Sequence, residues 1–228
     1  MNLSDKLEAV RSEYLRRMTR GDGQLLREVE RYTTSRKGKM LRPQMTLMAA
    51  ATLGDEVLDS HRTLLLATCV EMIHNASLLH DDVIDHSDRR RGQPSVNAQW
   101  NNSVAVLVGD YHLAQIMQLL DEVDDPVAAR MVNRTVMEMV EAELLAQEAA
   151  EPSRERYLRI VDGKTARLFA TACALGNPDY EEFGLHYGRL FQLRDDVADG
   201  ETTPWTAELI AQEESILNAI KPSLTVQN

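Results

Sequence analysis

The sequence predicts an all-α fold, and three observations support it. Apolar residues recur with the 3.6-residue period of amphipathic helices, and no stretch alternates apolar and polar residues convincingly as a strand would. Helix-favouring Leu, Ala, Met, Glu and Arg are abundant, while aromatic residues make up only 5% of the chain. Turn-forming residues cluster between the periodic segments. We therefore expect one domain over residues 1–228, folded as an antiparallel helical bundle.

The predicted helices follow one another with short connections. Their expected ranges are 3–20, 24–34, 42–53, 61–86, 103–121, 126–149, 154–175, 179–199 and 205–219. The breaks between them read GDG at 21–23, KGK at 37–39, GD at 54–55, RGQP at 91–94, DDP at 124–126, EPS at 151–153 and GNP at 176–178. Since no linker or low-complexity tract interrupts this order, the sequence gives no sign of a second domain.

Composition excludes some classes of protein. The net charge of −11 argues against general binding of nucleic acid, which needs a surplus of basic groups. The two cysteines, Cys69 and Cys173, lie in apolar helical segments and are expected to be reduced and buried. The N-terminal segment lacks the apolar core of a signal peptide, and no run of about 18 apolar residues predicts a transmembrane helix. We expect a cytoplasmic protein.

Two acidic motifs of the form DDxxD each end an apolar helical segment. The first lies in LLHDDVIDHSDRRRG (78–92) and the second in LRDDVAD (193–199). Their aspartates are Asp81, Asp82, Asp85, Asp195, Asp196 and Asp199. Carboxylates are disfavoured at a helix C-terminus by the macrodipole, so a bound cation is expected to compensate. The first and last aspartates of each motif share a helix face, and such oxygen ligands suit Mg²⁺ that also binds a diphosphate.

Basic residues near these motifs indicate a phosphorylated ligand. Three arginines, Arg89 to Arg91, follow the first motif, and Lys37, Lys39 and Arg42 precede a predicted helix. Guanidinium groups match phosphate oxygens in pairs, and lysines add point charge. Lys164 and Thr165 lie within an apolar helix, where a lone lysine is also typical of a surface residue with a buried stem.

The motifs together resemble the trans-isoprenyl diphosphate synthase, or polyprenyl synthetase, family, and its medium- and long-chain members in particular. The matching segments are GKMLRP (38–43), EMIHNASLLHDDVIDHSDRRRG (71–92), LVGDYHLA (107–114), EAELLAQ (141–147), GKTARLF (163–169) and YGRLFQLRDDVAD (187–199). The resemblance covers about residues 35–200. After about residue 200 the sequence departs from the family pattern, so the family's C-terminal helices are expected to be reduced or missing.

The resemblance implies the isoprenoid synthase fold, a helical bundle around a deep apolar cavity. It also implies a Mg²⁺-dependent head-to-tail condensation of isopentenyl diphosphate with an allylic diphosphate. Metal ligands would be Asp81, Asp82, Asp85, Asp195, Asp196 and Asp199. The expected catalytic set is Asp81, Asp82, Asp85, Asp195, Asp196 and Lys164.

The same resemblance implies two neighbouring diphosphate sites. Isopentenyl diphosphate would bind Lys39, Arg42, His74 and Arg91, and the allylic diphosphate would bind Arg90, Lys164 and Gln192. Thr165 and Gln192 would offer oxygen dipoles to the carbocation. His74 has an alternative interpretation, because a single histidine in an apolar helix is usually a hydrogen-bonded core residue.

In this family the product grows into a tunnel that begins near the first acidic motif. Ala76 and Ser77 occupy the positions five and four residues before Asp81, and both are small. We therefore expect a product longer than farnesyl. Candidate residues for the tunnel floor are Val70, Ile73, Met117 and Met137, although the same stripe would suit any core helix.

Two other functions stay open. The chain is alternatively a non-catalytic or regulatory subunit of a heteromeric polyprenyl diphosphate synthase, or a cyclase-like enzyme that also pairs acidic helix ends around Mg²⁺. The basic segments KGKMLRP and RRG argue against the cyclase, which needs no second diphosphate pocket. The family's usual state is a homodimer, and the apolar faces of 103–121 and 126–149 would suit an interface. Product release is expected to involve contact with a membrane.

Overall fold

Within residues 2–35 and 38–220, which the computed structural model describes, the chain forms an all-α bundle with one small β-hairpin. The longer helices are α1 Leu3–Met18, α2 Gln24–Thr34, α3 Leu41–Ala51, α5 His61–Ile84, α7 Asn102–Val123, α8 Pro126–Gln147, α9 Arg154–Val161, α10 Arg167–Gly176, α11 Glu181–Asp199 and α12 Thr206–Ile220. Two four-residue helices, α4 Asp55–Leu58 and α6 Val96–Gln99, and the strands β1 Arg89–Arg90 and β2 Gln93–Pro94 complete the fold. The predicted fold class is confirmed.

The predicted helix ends agree with the structure to within a few residues, and polar side chains cap several of the N-terminal ends. The side chains of Ser60, Asn101, Asp125 and Ser153 each accept a hydrogen bond from a backbone N–H in the first turn of the helix that follows. Such caps satisfy the N–H groups that a helix leaves unpaired at its start. Since only two residues join α7 to α8, these two helices run antiparallel.

Three local features differ from the prediction. The expectation of no strand was wrong at residues 89–94, where β1 and β2 pair antiparallel. The predicted helix 154–175 is interrupted by a π-helical turn, Asp162–Ala166. The predicted helix 179–199 begins two residues later, after a 3₁₀ turn at Pro178–Tyr180. These features are too short to produce a recognisable hydrophobic period.

Helix α5 lies at the centre of the bundle. It packs against α1, α3, α7 and α10, and nearly every side chain over residues 63–73 is buried. A helix that is apolar around its whole circumference belongs in a core rather than at a surface. The predicted state of the cysteines is confirmed, because Cys69 and Cys173 are buried free thiols. Burial raises the pKa of both thiols to about 12, which makes them poor nucleophiles.

By length and composition alone, α7 is apolar enough to cross a membrane. Of its most apolar stretch, 44% is buried inside the bundle, and the helix packs extensively against α5. A core helix of a bundle has the same composition, so this feature is weak evidence for a membrane span.

A glycine sets the closest approach between α10 and α3. A Cβ atom at Gly176 would lie 2.2 Å from the carbonyl oxygen of Thr46 and 2.9 Å from the amide nitrogen of Ala50. Backbone atoms cannot yield as a flexible side chain can, so a larger residue would push these helices apart.

We expect Gly176→Ala to lower the free energy of unfolding by about 1–3 kcal/mol, because overpacking outweighs the gain in helix propensity. Urea unfolding followed by circular dichroism measures this loss. The control is Gly23→Ala, whose Cβ would meet Leu26 at an ordinary 3.7 Å, and which should cost less than about 1 kcal/mol. Equal stability of the two variants would contradict the packing argument.

Candidate active site

The two acidic motifs lie at the ends of α5 and α11. In each, the middle aspartate is turned into the protein: Asp82 is 3% exposed and Asp196 is 8% exposed. The outer aspartates are half-buried at Asp81 and exposed at Asp85, Asp195 and Asp199. Helical geometry explains this division, because residues four apart share a face and the residue between them points elsewhere.

Asp82 is held by the β-hairpin that follows α5. The Nη2 and Nε atoms of Arg90 donate hydrogen bonds of 2.6 and 2.9 Å to Asp82 Oδ1. The hairpin turns back through Arg91 and Gly92, at φ values of 50° and 76°, which are the two positive angles of a type I′ turn. A non-glycine residue at positive φ is strained. The turn therefore holds Arg91 in position at a cost in backbone energy.

Asp196 is held by donors from α9 and α11. The hydroxyl of Tyr157 donates to Asp196 Oδ2, and Gln192 Nε2 donates to Oδ1 at 2.7 Å. Gln192 Oε1 in turn accepts a hydrogen bond of 2.5 Å from Thr165 Oγ1. Burial raises the pKa of Tyr157 well above its ordinary value, and the bond to Asp196 adds to the shift. Tyr157 therefore stays protonated and serves as a donor.

The π-helical turn Asp162–Ala166 carries Lys164 and Thr165 between α8 and α11. A Cβ atom at Gly163 would lie 2.4 Å from Cβ of Ala142 and 2.7 Å from the carbonyl oxygen of Glu138, so only glycine allows this approach to α8. The approach places Lys164 Nζ 3.0 Å from Glu143 Oε1. π-helical turns are rare in proteins, and those that occur often lie at functional sites.

Carboxylates are crowded around Lys164. Burial raises the pKa of Asp81 to about 6, the negative charge of Glu143 adds to the shift, and Lys164 opposes it. Burial alone would lower the pKa of Lys164, but the hydrogen bond and charge of Glu143 outweigh burial and raise it. The lysine therefore stays charged while several carboxylates compete for it. Excess negative charge in a partly buried place favours a further cation.

A path of electrostatic interactions and hydrogen bonds joins the two acidic helix ends through the π-helical turn. Asp81 interacts with Lys164, the next residue Thr165 is bonded to Gln192, and Gln192 is bonded to Asp196. Both acidic ends therefore border the same turn, and they do not lie on opposite faces of the molecule.

Several predicted basic residues lie near the second acidic motif. The Arg42 guanidinium lies 4.4 Å above the ring of Phe169 and interacts with Glu71, Arg91 and Asp195. Burial lowers its pKa to about 10, and its Nε atom is buried without a hydrogen-bond partner among the described residues. A cation held over an aromatic ring with an unmatched donor is suited to an anionic ligand.

The remaining members of the basic set lie close to Arg42. A Cβ atom at Gly38 would lie 3.0 Å from Nη1 of Arg91, so the GKMLRP segment runs directly beside that arginine. Lys39 is exposed and interacts with Asp195. Burial lowers the pKa of His74 well below its ordinary value, and neighbouring Arg42 and Arg91 add to the shift, so its imidazole is neutral. Lys37 lies outside the described residues.

An apolar cavity of about 480 Å³ begins at Asp81, Glu143 and Lys164; it is lined by α5, α7 and α8 and is partly open to solvent. Ala76 and Ser77 lie in its wall, as the tunnel prediction requires. Its apolar lining includes Ile73, Val83, Ile84, Val106, Leu113, Val136, Met139, Val140 and Leu144.

Three of the four candidate floor residues do not line the cavity. Ile73 lines the cavity, but Val70 is fully buried in the main core. Met117 and Met137 are 68% and 62% exposed on the outer surfaces of α7 and α8. Val136 faces the cavity, and Met137, about 100° further round the helix, faces solvent.

Sequence reasoning missed two residues of this site. Glu143 lies in the matched segment EAELLAQ, so a signal existed, but its pairing with Lys164 depends on how α8 meets the π-helical turn. Tyr157 belongs to none of the matched motifs, and only the fold brings it to Asp196.

A helical bundle in which two acidic helix ends border one π-helical turn, with the first of them at the mouth of an apolar cavity, defines a protein of the isoprenoid synthase class. The chain belongs to the polyprenyl synthetase family, whose sequence model matches residues 23–208.

Among its relatives, an all-trans-nonaprenyl-diphosphate synthase (geranyl-diphosphate specific) of Rhodobacter capsulatus is 38% identical over 77% of this chain and 57% of its own length. A heptaprenyl diphosphate synthase component 2 of Bacillus subtilis is 33% identical over 88% of this chain and 60% of its own length. The crystal structure of a Caulobacter crescentus polyprenyl synthase, complexed with calcium and isoprenyl diphosphate, superposes with a TM-score of 0.79 at 32% identity. The superposition covers 85% of this chain and 62% of the Caulobacter crescentus chain. The chain thus spans about 60% of the length of these proteins.

The Asp82–Arg90 pair generates a test of the site's architecture. We expect Arg90→Met to lower the free energy of unfolding by about 1–3 kcal/mol, because it leaves a buried carboxylate without its cation. The matched control is Arg89→Met in the same hairpin, whose guanidinium donates to the carbonyl oxygen of Gly92 at the surface. The control should cost less than about 0.5 kcal/mol in urea unfolding. Equal losses would show that the pair does not stabilise the end of α5.

Proposed function

We propose that the chain condenses isopentenyl diphosphate head-to-tail with an allylic diphosphate to give a polyprenyl diphosphate longer than farnesyl. One observation carries this proposal: the apolar cavity of about 480 Å³ opens at Asp81, Glu143 and Lys164. An apolar chain would lie in the cavity while its diphosphate meets the charged groups at the mouth. Family membership and the names of the relatives support the same reaction class.

The outer aspartates suit Mg²⁺. They present only carboxylate oxygens, the hard ligands that this ion prefers. Burial and the neighbouring Asp199 and Asp196 raise the pKa of Asp195, so crowded negative charge recurs at the second motif. In the described part of the chain, no group of three or more acidic, histidine or cysteine side chains forms a ready metal site. This agrees with an ion that takes one or two carboxylates and completes its shell with water and substrate phosphates.

Within each motif, the buried aspartate and the outward-facing aspartates are assigned different roles toward Mg²⁺. Asp82 and Asp196 already accept hydrogen bonds from protein donors, so we assign them to orienting roles. Asp81, Asp85, Asp195 and Asp199 keep the outward faces and are assigned as the Mg²⁺ ligands. When bound, Mg²⁺ supplies the positive charge that stabilises the departing diphosphate.

The basic residues divide between two diphosphates. Lys164 and Arg90, which already lie beside the first motif, are assigned with Gln192 to the allylic diphosphate. Lys39, Arg42, His74 and Arg91 are assigned to isopentenyl diphosphate. A neutral His74 donates a hydrogen bond there without adding to the repulsion between two arginines.

The remaining chemistry needs a dry site and no protein base. The allylic C–O bond breaks and its electron pair leaves with the diphosphate. The double bond of isopentenyl diphosphate then forms the new C–C bond, and a proton passes from that unit to the departed diphosphate. The apolar walls limit the access of water to the carbocation, and the side chains of Thr165 and Gln192 offer dipoles that do not capture it.

A second candidate is a subunit of a heteromeric synthase. The relative from Bacillus subtilis is named component 2, which supports an enzyme of more than one chain. Apolar side chains exposed on α7 and α8 offer a surface for an identical or a different partner. Those outside the cavity lining are Leu107, Met117, Val127 and Met137.

For the catalytic candidate we propose a homodimer, formed through the same exposed side chains of α7 and α8.

The proposed activity is tested by incubating the purified chain with farnesyl diphosphate, labelled isopentenyl diphosphate and Mg²⁺. Labelled products longer than farnesyl are expected, and EDTA should abolish them. Asp81→Asn should lower the rate on the order of 10²-fold, because it removes a carboxylate that would hold Mg²⁺ against the departing diphosphate. Binding of both diphosphates without turnover would favour the subunit instead, and failure to bind either would contradict both candidates.

We expect Ala76→Phe to shorten the main product, because a phenyl ring in the wall of the cavity blocks the growing chain. Chromatography of the labelled products measures the change in length. The matched control is Ala51→Phe at the exposed end of α3, which should leave the product distribution unchanged. An unaltered distribution for Ala76→Phe would show that this wall does not limit the chain.

A further inference from the structure

A buried acidic residue on α12 is the start of a network that reaches the π-helical turn. Glu213 is 1% exposed. Its Oε2 atom lies 2.5 Å from His186 Nδ1, and its Oε1 atom lies 3.5 Å from Arg189 Nη1. A carboxylate this deeply buried is costly unless it is paired, so both partners on α11 are needed to hold it.

Arg189 extends the network from Glu213 to Asp162. Its Nε and Nη2 atoms donate hydrogen bonds of 2.5 and 2.8 Å to the two carboxylate oxygens of Asp162. This two-point geometry fixes the plane of the guanidinium as well as its distance. The hydrogen bond with Asp162 and the charges of Asp162 and Glu213 raise the pKa of Arg189, so the arginine stays charged.

Asp162 is the first residue of the π-helical turn that carries Lys164. The turn has three anchors: Asp162 on Arg189, Gly163 against α8, and Thr165 on Gln192. π-helical geometry is rare and persists only when its surroundings hold it. If the first anchor loosened, the turn would relax toward regular helical bonding, and Lys164 would rotate away from Glu143.

We propose that Glu213 is a positioning residue: through Arg189 and Asp162 it holds the π-helical turn in the register that presents Lys164 to the allylic diphosphate. The role of Lys164 in binding the allylic diphosphate rests on the proposed function, whereas the stabilisation of the π-helical turn by Glu213 does not. Glu213 lies on α12, beyond residue 208, where the match to the family model ends.

The test compares Glu213→Gln with Glu214→Gln, the same substitution at the neighbouring position. Glu214 pairs with Arg194 at 2.7 Å on the surface and takes no part in the network. Hydrogen–deuterium exchange of the unliganded chain should be faster over residues 162–166 in Glu213→Gln and unchanged in Glu214→Gln. Unchanged exchange there in Glu213→Gln would overturn the proposal, whatever the chain binds.

Calorimetry with Mg²⁺ then measures the functional consequence at a temperature where both variants are folded. Glu213→Gln should weaken binding of farnesyl diphosphate about tenfold and leave isopentenyl diphosphate within about twofold, because only the former uses the turn. In a Lys164→Ala background, Glu213→Gln should cause no further loss. Equal weakening of both ligands, or an additive loss, would show a general structural role and overturn the proposal. If exchange over residues 162–166 is faster in Glu213→Gln but the chain binds neither diphosphate, Glu213 stabilises the turn and the proposed function is contradicted.

Discussion

The structure depends on one constraint: α5 is buried along most of its length, yet it ends in three aspartates. The buried part anchors the helix, since each large apolar side chain removed from water contributes about 1.5–3 kcal/mol. The acidic end therefore cannot swing freely toward solvent and has to be accommodated where it lies. Arg90 satisfies one carboxylate through the hairpin, and Lys164 partly satisfies another. The rest of the negative charge stays at the mouth of the cavity.

The same constraint explains why the surrounding segments are irregular. The β-hairpin has a residue at positive φ so that arginines can return to the end of α5. The π-helical turn interrupts an otherwise regular helix so that Lys164 reaches Glu143, and Gly163 permits the close contact that this requires. Both irregularities cost conformational energy and both adjoin the acidic ends. Strain of this kind survives where well-packed surroundings support it, as α5, α8 and α11 do here.

Much of the fold was predictable because bundle helices carry strong local signals. Hydrophobic period, helix caps and turn residues placed the long helices to within a few residues. The features that escaped prediction were short or irregular: α4, α6, the hairpin and the π-helical turn. In the candidate site, the paired motifs indicated that Asp81 and Asp195 act together, and the structure brings both acidic ends to one turn. Their roles as metal ligands stay predictions.

By itself, the sequence determined the helical class, the positions of the long helices and the identity of the charged motifs, because each of these follows from residues within a few turns of one another. Only the tertiary structure decided which aspartate of each motif faces inward, that Glu143 pairs with Lys164, and that Glu213 reaches the π-helical turn through Arg189. It also showed that Met117 and Met137, which were candidates for the cavity floor, lie at the surface. The physical reason is that these contacts join segments far apart in the chain. How far each helix is rotated about its axis when it packs is set by the whole core and by no local pattern.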